Sequence, residues 1–245
     1  MRVLFLVTRF PVPPWRGDQM RAYHQLRQLA RRHEITLAVL CGTVPTTAMR
    51  ATVEAWGVRV RVVRLNRWGV VEAAGRCVAG DPRPLQTLWY LRTDARRQIA
   101  ELLRRERFDV VHAQLVRTAA YLPEAGTPPV VVDFIDALSV NMARRAAHSR
   151  GPVGWVAGIE AGRLARFERH LLERIAAAVV VAREDADLIA PGRVAIVPNG
   201  VDGTAFPYDA AVRPTPRVVF GGNLGYFPNI DAAVWLARDI FPRIR

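Results

Sequence analysis

Lysine is missing from this 245-residue chain, so all 35 of its basic side chains other than histidine are arginines. A residue type that never occurs reflects biased codon usage as well as function, which makes the net charge of +13 a weak guide to a partner. The arginines are also spread through every segment, whereas nucleic-acid binders cluster them or interleave them with exposed aromatics. Nucleic acid is therefore set aside as a partner, while an anionic membrane surface or a phosphorylated substrate stays compatible. Cysteine is scarce: Cys41 and Cys77 are too few for a disulfide scaffold and have no metal-ligand company, which points to a reducing cytoplasm. Long hydrophobic runs are lacking too. No segment reaches the roughly 20 residues of a membrane helix, and the apolar run at the N-terminus is only a strand long, too short for a signal peptide.

The apolar fraction is 51%, enough to exclude general disorder and to build one large domain or two small ones. Val3 to Val7 is an unbroken apolar run that suits a central strand covered on both faces. After Thr8 the chain changes character. Pro11, Pro13 and Pro14 forbid helix, Gly17 permits a backbone conformation that other residues resist, and Asp18 is placed to cap a helix running from Gln19 to Arg32. Met20, Tyr23, Leu26, Leu29 and Ala30 form its apolar stripe. A buried strand that feeds a glycine turn at a helix N-terminus is where α/β sheets offer amide donors to anions.

Further strands are expected at 34–40, 58–65, 109–113, 130–134, 177–182 and 194–197, with helices at 94–107, 162–175 and 184–190 between them. This alternation predicts an α/β fold with a doubly wound parallel sheet. The stretch 67–92 is less regular; Trp68, Val71, Trp89 and Tyr90 among arginines suit either a membrane-interface surface or core packing beneath a long connection. His112, Asp133 and Asp136 fall at strand C-terminal ends, the ligand-bearing edge of doubly wound sheets. Asp185 and Asp187 read as helix-dipole partners rather than metal ligands, and no metal site is expected. Residues 1–202 form one domain and 203–216 a proline-bearing linker. Residues 217–245 begin a second Rossmann-like unit, with a strand at Val218 to Phe220, a turn at Gly221, Gly222 and Gly225, and a helix from Pro228 to Ile244. One strand and one helix cannot bury their own apolar faces as an independent domain.

Several segments together carry a resemblance. They are Arg9-Phe10-Pro11 with Pro14, Arg16-Gly17-Asp18, Arg21 and His24; Val132-Asp133 with Asp136 and Ser139; RLARFE at 163–168; VPNGVD at 197–202 with Phe206; and GNLGYFPNIDAAVW at 222–235. In order and spacing over nearly the whole chain, they resemble glycosyltransferase family 4 of the GT-B enzymes, and within it the sugar transferases of bacterial exopolysaccharide and exosortase systems. The resemblance implies two Rossmann-like domains facing each other across a cleft, the first holding the acceptor and the second a nucleotide-diphosphate sugar, with no metal or other cofactor. It also implies that the paired glutamates which hold the donor lie beyond this sequence, so the 245-residue chain alone is expected to be inactive.

By the same resemblance, Gly17 on one side and Gly222 with Asn223 on the other face the donor phosphates. Asp136, and after it Asp133, serve the reacting sugar or acceptor hydroxyl, and Arg9, Arg21 and His24 meet the acceptor. Many relatives carry an arginine and a lysine where this chain has Asn223 and Asn229, which weakens charge neutralisation of the leaving group. The expected activity is sugar transfer to a saccharide or lipid-linked acceptor, with retention of anomeric configuration, in cell-surface polysaccharide synthesis. The expected place is the cytoplasm, as a peripheral protein on the inner membrane face. The alternatives are a nucleotide-sugar epimerase of the same build, or a non-catalytic module that binds glycan or membrane.

Overall fold

Strand β1 (Arg2–Val7) is central, as its unbroken apolar run predicts. Its side chains alternate between two cores: Leu4 and Leu6 pack into one, Val3, Phe5 and Val7 into the other. A strand clothed on both faces has no polar side to show, and each fully buried aliphatic side chain contributes about 1.5 to 3 kcal/mol. The computed structural model describes residues 1–65, 69–123, 128–208, 217–225 and 227–244. Two compact units are present, Met1–Asn199 and Gly200–Arg245.

The first unit is a seven-stranded sheet in the order β3-β2-β1-β4-β5-β6-β7. The other strands are β2 (Glu34–Cys41), β3 (Arg59–Arg64), β4 (Val110–Gln114), β5 (Val130–Ile135), β6 (Ala177–Val180) and β7 (Val194–Ile196). Every pairing is parallel. All seven strands expected within residues 1–202 form, each within a few residues of its expected bounds. This is the doubly wound Rossmann-like order, and its direction reverses between β1 and β4.

Helices α1 (Gly17–Leu29) and α2 (Thr47–Glu54) place Ala22, Leu26 and Val53 in the core that holds Phe5. The irregular stretch resolves into α3 (Gly69–Val78) and α4 (Leu85–Tyr90). There Leu88 is buried and Trp89 exposed, while Trp68 lies outside the described residues. Helix α5 (Thr93–Arg105) packs Ala95 and Ile99 into the opposite core. Beyond β4 come α6 (Val116–Ala119), α7 (Leu138–His148), α8 (Pro152–Leu172) and α9 (Arg183–Ile189). Helix α8 starts ten residues before the expected 162. Gly154, Gly158 and Gly162 mask its periodicity in the sequence, because glycine has no side chain to mark a face.

In the second unit, α10 (Phe227–Trp235) continues through a π-helical segment, Leu236–Ile240, into α11 (Phe241–Ile244). The strand expected at 218–220 does not form. A strand exists only through a ladder, and these residues pair with none among the described residues. Of the expected linker, residues 209–216 lie outside the described residues.

Candidate active site

The site is built on the edge where β1, β4 and β5 end. Thr8 follows β1 and accepts two hydrogen bonds on its Oγ1 from Arg117 of α6, from Nε at 3.2 Å and from Nη2 at 3.1 Å. The Arg117 guanidinium also lies 4.5 Å from the Tyr90 ring centroid. Burial lowers the pKa of Arg117, with Tyr90, Asp18 and Asp136 pulling it back up. A cation held this way has a fixed direction, which is what recognition of an anionic group requires.

Gly17 opens α1 beside it. Its φ is not in the left-handed region, so the turn does not demand a glycine, contrary to the sequence-based expectation. A Cβ there would meet no atom within 4 Å, so what the glycine provides is open space in front of the helix. Asp18 does not cap α1. The N-cap residue is Arg16, without a side-chain hydrogen bond, while Asp18 sits in the first turn and accepts from Arg9 Nη1 at 2.5 Å. The first amides of α1 therefore have no capping side chain. Gln114 Nε2 donates to the Asp18 carbonyl at 3.0 Å, tying the end of β4 to the start of α1.

The two strand ends carry unusual backbone. Leu115 has φ 70° and Ile135 has φ 68°. For a β-branched residue such as isoleucine this is a true outlier, of a kind that clusters at functional sites. Asp133 Oδ1 accepts from the Ile135 amide at 3.1 Å, and the register of β5 on β6 shifts between these two residues. The kink carries the chain on to Asp136, which is half-buried. Asn141 donates to Asp136 Oδ2 at 3.1 Å. Burial raises the pKa of Asp136, and Asp185 across from it on α9 raises it further. A carboxylate made more basic in this way is a better proton acceptor.

Glu168 of α8 closes the back of the site. Its carboxylate accepts from the Ser139 amide at 3.2 Å and the Ser139 hydroxyl at 2.5 Å, which caps α7 just beyond Asp136. Burial raises its pKa.

The remaining residues fall elsewhere. Asp133 is fully buried, and its Oδ2 accepts from Arg21 Nε at 2.6 Å and Gln25 Nε2 at 2.9 Å. Both its oxygens have partners inside the protein, an arrangement that differs from the open carboxylate expected of a catalytic group. Arg21, expected at the acceptor, is likewise buried and donates also to Asn199 Oδ1 at 2.9 Å. His24, on the same helix, is exposed and packs edge-on to Tyr23. Arg9 keeps to the edge, but its charge is matched by Asp18. His112 stacks on Phe5 with ring centroids 4.3 Å apart, and burial lowers its pKa to about 4, so it is a neutral packing group.

A profile of Glycosyltransferase Family 4 matches residues 15–204. The chain belongs to this family. Among solved structures, the family 4 chain is similar to a UDP-glucosyltransferase from Polygonum tinctorium capable of glucosylating indoxyl, in complex with 3,4-dichloroaniline. The identity is 12% and the TM-score 0.44, over 87% of this chain and 55% of that one. The chain thus spans little more than half the length of that glucosyltransferase. It is also similar to NADH-dependent reductase A1-R' bound to NAD, at 12% identity and a TM-score of 0.39, over 74% of this chain and 77% of that one. No curated protein matches.

In the family 4 chain, Gly17, Arg9 and Asp136 share the strand-end edge, and Arg117 and Gln114 join them. Sequence reasoning missed Arg117. The signal was there, an arginine just past a buried strand at the point where strand order reverses, but it was one arginine among 35. Gly222 and Asn223 belong to the second unit. Asn223 Oδ1 accepts from the Gly225 amide at 2.8 Å, and the Asn223 carbonyl accepts from Asn229 Nδ2 at 3.0 Å, so both asparagines shape the glycine loop. No group of histidine, cysteine, aspartate and glutamate suited to a metal ion occurs among the described residues. Nor is any described helix long and apolar enough to cross a membrane.

Proposed function

We propose that this protein moves a sugar from a nucleotide-diphosphate sugar to a saccharide or lipid-linked acceptor in cell-surface or exopolysaccharide synthesis. The transfer retains anomeric configuration and uses no metal. The protein works in the cytoplasm, at the inner face of the membrane. The observation that carries this reading is the match of residues 15–204 to the family, with Gly17, Arg117 and Asp136 at the strand ends where the fold offers a ligand site.

In this reading the uncapped amides of α1 and the Arg117 guanidinium meet negative charge that develops as the nucleotide diphosphate leaves. The open space at Gly17 lets the phosphates approach the backbone closely. Asp136 accepts a hydrogen bond from a hydroxyl of the reacting sugar or acceptor; Asn141 holds it in place, and Glu168 fixes Ser139 at the start of α7 just beyond it. Gly222 and Asn223 are assigned to the donor phosphates, with the Asn223 amide nitrogen as donor.

The test is incubation of the full-length protein, with its donor-binding domain, with a panel of nucleotide-diphosphate sugars and with saccharide and lipid-linked acceptors, following both transferred sugar and released nucleotide. Transfer that Gly17→Val abolishes without moving the unfolding midpoint is the expected result. Neither transfer nor hydrolysis with any donor would overturn the reading.

A further inference from the structure

Away from the strand-end edge, a cavity of about 340 Å³ opens between the C-terminal half of α8, the start of α5 and the chain that follows α6. Phe167 contributes to an apolar part of its wall, and Arg83, Arg96, Arg163, Arg166 and Arg174 line it. Of these five, only Arg83 is matched, by a two-point pair with Asp81 that includes Nη2 to Oδ2 at 2.5 Å. Arg96, Arg163, Arg166 and Arg174 make no ion pair among the described residues. The carboxylates on the same helix are used elsewhere: Glu168 holds Ser139, and Glu160 accepts from the Leu85 and Gln86 amides at 2.8 and 3.0 Å.

Arg163 is half-buried and Arg96, Arg166 and Arg174 are exposed, so four like charges without an ion-pair partner gather round one cavity that an anion can enter from solvent. Arg163 and Arg166 lie on one face of α8, one turn apart, and Arg174 lines the cavity from the turn beyond the end of the helix. Guanidinium forks set at turn spacing match the oxygen pairs of phosphate groups, and a monoanion would leave most of the charge unmatched.

We propose that this cavity is a binding site for a phosphate-bearing ligand with at least two negative charges, separate from the sugar-transfer edge. It shares no lining residue with that edge, so it stands or falls independently of the proposed activity.

Calorimetric titration of the protein with inorganic pyrophosphate tests it, alongside sedimentation with vesicles containing cardiolipin, whose headgroup bears two phosphates, and, as control, phosphatidylcholine. The pair Arg163→Gln and Arg166→Gln is compared with the exposed pair Arg31→Gln and Arg32→Gln, which removes the same charge. Saturable pyrophosphate binding, weakened roughly tenfold or more by the cavity pair alone, is the expected result for a soluble phosphate. Binding to cardiolipin vesicles only, lost in the cavity pair alone, supports the same site with a lipid headgroup as the source. Equal weakening by both pairs, or no binding of either probe, overturns the proposal. Circular dichroism checks each variant, and Arg96→Gln alone replaces the cavity pair if that pair unfolds.

Discussion

Arg21 Nε donates to Asp133 Oδ2 across 2.6 Å, and the two side chains are only 4% and 0% exposed. The pair fastens α1 to β5 from beneath the site, so the helix that opens with Gly17 and the strand that leads to Asp136 share one buried anchor.

Breaking that anchor on one side leaves a charge buried without its partner. Arg21→Met or Asp133→Leu alone should each cost about 3 to 5 kcal/mol of stability. The double variant should cost clearly less than the sum, because it leaves neither charge stranded. Urea unfolding of all four proteins gives the coupling, and strictly additive losses would contradict it.

His112 should make stability depend on pH. Its pKa falls from 6.5 to about 4 in the fold, so in that window the unfolded chain binds a proton that the folded chain refuses. The stabilisation is complete above the unfolded value and is lost as pH falls toward 4, amounting to roughly 3 kcal/mol at most. Asp136 and Glu168 act in the opposite sense, because their raised pKa values make the folded state bind protons more readily. Comparison with His112→Gln isolates the histidine. Its free energy of unfolding should fall less between pH 7 and pH 4.5 than that of the natural protein, and parallel profiles would rule the histidine out.

Asp136→Asn separates stability from chemistry. The ionised carboxyl is held in surroundings that raise its pKa, so at neutral pH the neutral amide should leave the unfolding midpoint unchanged or higher. Sugar transfer should fall by about 100-fold or more, in kcat rather than KM, if the carboxylate takes part in the transition state. A variant with full turnover would move the role to another residue.

Two glycines of α8 should respond to alanine in opposite directions. A Cβ on Gly162 meets nothing within 4 Å, so Gly162→Ala should stabilise the helix by about 0.5 to 1 kcal/mol. A Cβ on Gly154 would press into the Ser149 carbonyl, a backbone atom that cannot swing aside, so Gly154→Ala should destabilise. Thermal unfolding of the two variants checks the signs, and a shift in the same direction for both would be inconsistent with this helix start.

How much the sequence determined follows from the range of the signal. Val3 to Val7, Glu34 to Leu40 and Val130 to Phe134 read as buried strands because burial on both faces leaves a local apolar run, and their alternation with helices sets the parallel, doubly wound order. The strand expected at 218–220 is the counterexample. Its run is apolar, but a strand also needs a neighbour, and none is present among the described residues.

Residue roles at the site were legible only in part. Gly17 and Asp136 stand out because a glycine before a helix and an aspartate after a strand carry meaning in their neighbourhood alone. Arg21 and Asp133 read as acceptor-binding and catalytic groups until the crossovers of the sheet brought them together from 112 positions apart. Arg117 gained its place only when β4 lay beside β1 and put Thr8 in reach. The sequence by itself decided which segments are strands and helices, since periodic burial is written locally along the chain. Which charges are buried, paired or left facing a ligand was decided by the tertiary structure, because electrostatic energy depends on distance through space and on exclusion of water.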